Sequence, residues 1–265
     1  VCEIFCPNKI CCNKRKTNKV NPCRGKRYFE SSKSSTYFSL NKTFESKYIV
    51  YRKGAKVHGI LGEDTVRLGS DASGGLSVPR TQIGQAKIID DYFTGHRYDG
   101  IIGMAFSSLS RSGFVPPFEL ASSLGLVEPV FTFYMKSAGG RAEDEYGGAI
   151  TYGGLDREHC SEDIFYKQLE STTYWKFKYN KEHDLYYIDC NADISAVVTI
   201  DRQKFTIEAK NLIIKLEEDV CILAIHGYSN YFASIWIFGA PFIRQYCTVY
   251  DIGNTRIGFA KSLQQ

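Results

Sequence analysis

Asp251 opens the stretch YDIGNTRIGFA, in which an acid is followed at close range by Gly253 and Asn254. A carboxylate presented on a turn can take a proton from water. With a second carboxyl nearby it forms an acid–base pair, because the two cannot both ionise and one keeps the proton the other lacks. An acid before Gly-Asn is equally ordinary turn chemistry, since short polar side chains hydrogen-bond their own backbone a few residues on. Asp64-Thr65 and the doublet Asp90-Asp91 are the other carboxylates that stand out. On a strand, the two members of the doublet would point to opposite faces, which suits solvated turn acids. Other chemistries are thinly represented. The five histidines form no H-E-x-x-H, no phosphate-binding glycine loop occurs, and the nine cysteines show no paired C-x2-C with interleaved His that would favour zinc.

The elements that must position these carboxylates read as strands. The 265 residues, 43% of them hydrophobic, can bury a substantial core in one large or two modest domains. Aromatics at 14% and 23 glycines suit short twisted strands joined by tight turns, so the expected fold class is all-β. FESKYIVYRKGAKVHGILGEDTVRLG alternates apolar and polar residues around Gly54, Gly59 and Gly62 as a hairpin with a projecting tip would. TQIGQAKII and YDGIIGMAF continue the pattern, the latter as an apolar run expected to be buried on both faces. PPFELASSLGLV is the best helix, with Pro117 near its start, Phe118, Leu120, Ala121 and Leu124 inward, and Gly125 at its end. VFTFYM then reads as a strand and YGGAITYGGLD as a hairpin. DIFYKQL, YWKFKY, LYYIDC, AVVTIDRQKFTIEA, VCILAI, SIWIFGAPFIRQYCTVYD and RIGFAKS complete the series of strands. Two apolar runs ending in Gly, at Ile101-Ile102-Gly103 and Ile237-Phe238-Gly239, hint at internal duplication.

Charge and cysteines set the compartment. The net charge of +4 is uneven, because residues 4–29 carry eight Lys or Arg and no acid, which leaves the remainder at −4. The basic run is read as a solvated loop held by cysteines, with a polyanion-binding patch as the lesser reading, so neither nucleic acid nor membrane is expected as a partner. No stretch approaches the about 18 apolar residues a membrane helix requires. The sequence begins Val1-Cys2 rather than with Met, so the lack of a leader carries no weight. Nine cysteines point to a secreted, lysosomal or otherwise luminal protein, and Asn41-Lys42-Thr43 is a glycosylation acceptor pattern consistent with export.

In order along the chain, SSKSSTY, GILGEDTV, YDGIIGMAF, PPFELASSLGLVEPVFTFYM, YGGAITYGGLD, TTYWKF, WIFGAPFIRQY and YDIGNTRIGFA resemble segments of the pepsin-like aspartic endopeptidases, peptidase family A1. FIRQYCTVYDIGNTRIGFA is similar to nematode members of the family. The resemblance covers nearly the whole chain. It implies a bilobal β fold, here with residues 1–165 as the N-terminal lobe and 166–265 as the C-terminal lobe, each contributing one D-[TS]-G loop to a cleft in which two aspartates activate one water. It further implies a monomer with no cofactor and a peptide or protein substrate.

Neither catalytic loop is found. The first belongs upstream of Cys2. The second belongs between Trp175 and Cys190, where KFKYNKEHDLYYID joins the strand after Tyr-Trp directly to the strand before the cysteine. None of the fourteen aspartates is followed by Thr or Ser and then Gly. Asp251 resembles the turn before the family's last strand, so no catalytic residue is assigned. The flap segment reads YRKGAKVHG, with Tyr51 as its candidate tyrosine, Arg52 where the family has Gly, Gly54, and one extra residue before Gly59. Ile102-Gly103 and Phe238-Gly239 resemble the runs that support each catalytic loop, and Ala240 stands where the family commonly has Asp. Cys190 and Cys221 resemble the second-lobe disulfide, Cys160 and Cys247 an additional pair of nematode members, while Cys2, Cys6, Cys11, Cys12 and Cys23 leave one unmatched.

These readings imply a truncated or spliced product of a secreted protease gene, inactive as written. The alternatives are a non-catalytic peptide- or protein-binding pseudoprotease, and a chain whose unpaired strand edges prevent stable folding.

Overall fold

The structure, a computed structural model, describes residues 22–50, 53–69, 74–110, 113–136, 145–175, 187–217, 220–225 and 237–263. It is built mostly of antiparallel strands and divides into two compact units, residues 1–126 and 127–265. The sequence boundary between residues 165 and 166 falls inside a strand of the second unit, because the strands that follow residue 127 pair with strands near the C-terminus.

In the first unit, β1 (Phe38–Val50), β2 (Lys53–Leu68) and β3 (Leu76–Ile89) form a three-stranded sheet in that order. Period-2 alternation turns Phe44 and Tyr48 of β1 and Ala55 and Val57 of β2 toward one cluster with Phe93, which sits on a short 3-10 turn at Asp91–Gly95. α1 (Pro117–Ser123) starts on Pro117, buries Phe118 and Ala121, and packs on β3. Gly125, at φ +68°, closes it: the Leu126 N–H returns to the Ala121 carbonyl, a left-handed termination for which Gly is suited. Leu124, expected inward, is exposed because the helix has already ended at Ser123.

The second unit is organised by a five-stranded sheet of β4 (Val130–Met135), β5 (Gly148–Tyr152), β6 (Cys160–Gln168), β12 (Tyr246–Asp251) and β13 (Arg256–Ser262), in the order β5-β4-β12-β13-β6. YGGAITYGGLD supplies only β5, which pairs with β4 rather than folding back on itself. β8 (Ser195–Ile200) and β9 (Gln203–Glu208) form a hairpin whose two turn residues, Asp201 and Arg202, both have positive φ, as a two-residue turn of matching twist requires. β7 (Tyr187–Ile188), β10 (Ile213–Glu217) and β11 (Val220–Leu223) make a small third sheet, and α2 (Ala209–Leu212) follows β9. Residues 240–245, expected as strand, form helix α3 (Ala240–Gln245). Pro241 sits in its first turn, where its missing N–H is no loss. Phe242 of α3 then packs against Phe205 of β9 and Phe259 of β13, with ring centroids 6.0 and 5.1 Å apart.

Candidate functional site

Three aspartates among the described residues are buried: Asp64, Asp156 and Asp251. Each is already engaged by donors from its own surroundings. Asp251, at the end of β12, accepts the Asn254 backbone N–H at 2.9 Å, the Asn254 side-chain amide at 2.9 Å and Arg256 Nε at 2.6 Å. The Arg256 guanidinium in turn lies 3.9 Å from the Tyr166 ring centre. Gly253 is required in this turn, because a Cβ there would meet Pro129 Cγ at 2.7 Å. Burial would push the Asp251 carboxyl up, but the hydrogen bonds from Arg256 and Asn254 outweigh it and hold the group below the ordinary carboxylate range. Asp251 is therefore a structural turn acid.

Asp64 behaves alike. Its carboxylate accepts Thr36 Oγ1 and the Thr65 N–H, the latter at 2.7 Å, which ties the SSKSST turn to β2. Burial opposes these bonds and loses to them, so this carboxyl too is lowered. Asp156 accepts the backbone N–H groups of Glu158 and His159, and His159 Nδ1 lies 2.9 Å from its Oδ2. The His159 ring stacks on Tyr134 at 4.2 Å. Asp-x-x-His spacing was the available signal for this last cluster, which the motif reading did not single out. A carboxyl that donates a proton in catalysis has to be raised, not lowered. The shifts at Asp64 and Asp251 run the other way. Asp90, of the exposed doublet, accepts the Lys56 N–H at 2.7 Å, a turn contact.

Of the flap residues, Tyr51 lies outside the described residues. Gly54 stands opposite Ile49 near the start of β2, where a Cβ would meet only the flexible end of Lys47. Ile102 and Gly103 do not form the buried strand expected. Residues 98–106 are irregular, and Ile101 and Ile102 are 58% and 54% exposed, because the unit's described sheet ends with β1 and β3 and supplies no strand to pair with them. The run is anchored by Asp99, which accepts the Arg27 backbone N–H at 2.8 Å and its Nε at 2.7 Å. Phe44, Tyr48, Phe93, Ile101 and Ile102 line an open cavity of about 1190 Å³ within the first unit. Periodicity could not have announced this cavity, since it reads the same whether the apolar residues are covered or not. Phe238 stacks on Phe242 at 4.3 Å, and Gly239 precedes α3.

Cys160 is bonded to Cys247 and Cys190 to Cys221, the four cysteines that the resemblance paired. Cys2, Cys6, Cys11 and Cys12 lie outside the described residues. Among the described residues no cluster of His, Cys, Asp and Glu could hold a metal ion.

A profile of the family described as eukaryotic aspartyl protease matches residues 8–181 and 178–262. The chain belongs to this family. It is 36% identical to aspartic protease 2 of Necator americanus over 305 aligned positions that cover 98% of this chain and 71% of the relative. Aspartic protease 6 of Caenorhabditis elegans is 32% identical, with 99% and 76% covered, and pepsin A of Gallus gallus 27%, with 97% and 76% covered. The aspartyl protease alignment is longer than the chain. Since 98% of 265 residues is about 260, about 45 of the 305 positions shared with the Necator protein face a gap in this sequence.

Proposed function

We propose that this chain is a non-cleaving member of the aspartyl protease family, the product of a secreted endopeptidase gene from which a segment bearing a catalytic aspartate has been dropped. One observation carries the reading: about 45 aligned positions are missing within the chain, and none of its fourteen aspartates stands in D-[TS]-G. The two profile matches meet at 178–181, inside the interval from Trp175 to Cys190 where the second loop is expected. The reaction requires two carboxyls sharing one proton, so loss of either is sufficient to stop it. The lowered carboxyls of Asp64 and Asp251 and their settled partners also support this reading.

In this account residues 1–165 and 166–265 are what remains of the two family lobes. Tyr51 and Gly54 belong to the flap, and Ile102, Gly103, Phe238 and Gly239 are supports without their loops. Export to a secreted or lysosomal setting is supported by the two disulfides, and no described helix is long and apolar enough to cross a membrane. The test of origin is the transcript across the codons for Lys176 to Lys181. A longer sibling message carrying a D-[TS]-G block at that junction is expected. A message and gene with no such block would remove the splicing account.

The open apolar cavity favours a second reading, in which the chain holds a peptide or protein segment without cutting it. Saturable binding to an immobilised peptide library is then expected, weakened by Ile102→Asp. Absence of saturable binding to any peptide contradicts it.

A further inference from the structure

We propose that the first unit takes up an extended peptide of alternating apolar and acidic residues, paired as an added strand along the open edge of β3. The inference deepens the peptide-holding reading above and rests on it. The three strands contribute unequally to the cavity wall. β2, paired on both sides, lends only Val57, Leu61 and Val66, whereas β1 lends every residue from Phe44 to Tyr48 and β3 every residue from Thr81 to Lys87. A strand that turns one face to a cavity contributes alternate residues, and one that also turns its edge contributes each in succession. The sheet is therefore curled, with its outer strands edge-on to the cavity. Phe44 fits this curl, since a Cβ added at Gly59 of β2 or at Gly84 of β3 would lie 2.6 or 2.9 Å from its ring. The ring thus reaches from β1 across β2 to β3, over two residues without side chains.

Along each outer edge, every second residue directs its N–H and C=O away from β2. No further strand among the described residues pairs with these groups. An extended peptide satisfies them by main-chain bonds, while side chains on its inward face reach the apolar floor of Val57, Leu61 and Phe93. β3 offers the longer run of edge residues. Charge then selects the peptide. Arg24, Lys26, Lys47 and Lys87 line the cavity without an ion-pair partner among the described residues. Lys26 donates to the carbonyls of His96 and Tyr98 at 2.7 and 3.1 Å, and Lys87 to the Tyr28 hydroxyl, all of them uncharged acceptors. The two acids of the wall are already paired, Asp99 with Arg27 at 2.7 Å and Glu45 with Lys56 at 3.2 Å. This surplus of cations favours carboxylates and works against self-pairing, because a second copy would bring the same cations to the edge. Residues 4–29, with eight Lys or Arg and no acid, are unsuited for the same reason.

The test measures binding of fluorescein-labelled peptides to the 265-residue protein by fluorescence anisotropy. A peptide alternating Val and Glu is expected to bind at least about tenfold more tightly than its Val-Lys counterpart, with the preference shrinking as salt rises. In the double variant Arg24→Glu/Lys47→Glu, at two exposed positions, the preference should shrink as well. N-methylation of alternate peptide nitrogens removes donors and leaves the side chains in place. It should weaken binding at least about tenfold in one frame and little in the other. Equal affinity for the Glu and Lys peptides, or equal effects of the two N-methyl frames, overturns the inference and leaves peptide holding intact. Failure of the Val-Glu peptide to bind while members of the immobilised library do so overturns it alike. Failure of every peptide removes the holding reading with it.

Discussion

Asp251 separates a turn acid from a catalytic one by its partners. Arg256 and Asn254 claim both of its oxygens, so the charged form is favoured and no proton is kept for donation. Asp251→Asn keeps the shape but removes the charge facing Arg256, and is expected to cost about 2 kcal/mol in urea unfolding near neutral pH. A carboxyl lowered by folding contributes stability that is complete above its unfolded value, 3.8, and is lost as pH falls through the folded one. The gap between the wild type and Asp251→Asn should therefore close on acidification below about 3.8. A gap that stays constant down to pH ~2 would contradict the assignment. The turn identity of this residue was legible in the sequence, since acid, Gly and Asn are turn chemistry. Its Arg256 partner was not, because an i,i+5 pairing across a hairpin end depends on register.

Strand and helix signals read well where burial is one-sided. β1, β2, β3, β4, β13 and the β8–β9 hairpin lie where alternation and glycines put them, and Pro117 and Gly125 bracket α1 as proposed. The failures share one cause. YDGIIGMAF and the stretch around Ala240 are short apolar runs, and whether such a run becomes a buried strand is decided by neighbours that pattern cannot supply. Pro241 sets the second of these into α3, and the first finds no strand among the described residues to pair with. Close strand approach gives a sharper test within β2. At Gly59 a Cβ would lie 2.0 Å from the Gln85 carbonyl oxygen, so Gly59→Ala must push β2 and β3 apart and should cost about 1–3 kcal/mol. Gly54→Ala, which meets only the end of Lys47, should stay within about 0.5 kcal/mol. Equal losses by chemical denaturation would refute this placement of β3.

For the molecule as a whole, the second unit is held by two covalent ties as well as by its sheet. Cys160–Cys247 spans 87 residues and Cys190–Cys221 spans 31. Chain-entropy arguments then assign the longer loop about 4.5 kcal/mol and the shorter about 4 kcal/mol, so paired Cys→Ser variants should lower the urea midpoint in that order. In the first unit a cavity of about 1190 Å³ is open, and Ile101 and Ile102 are exposed among the described residues. The central claim is that the shortened chain lacks the two-carboxyl machinery, and incubating the purified 265-residue protein with denatured haemoglobin at acid pH, with and without a statyl-type inhibitor, tests it most directly. We predict intact substrate in both samples; cleavage products that disappear when the inhibitor is present would contradict the account.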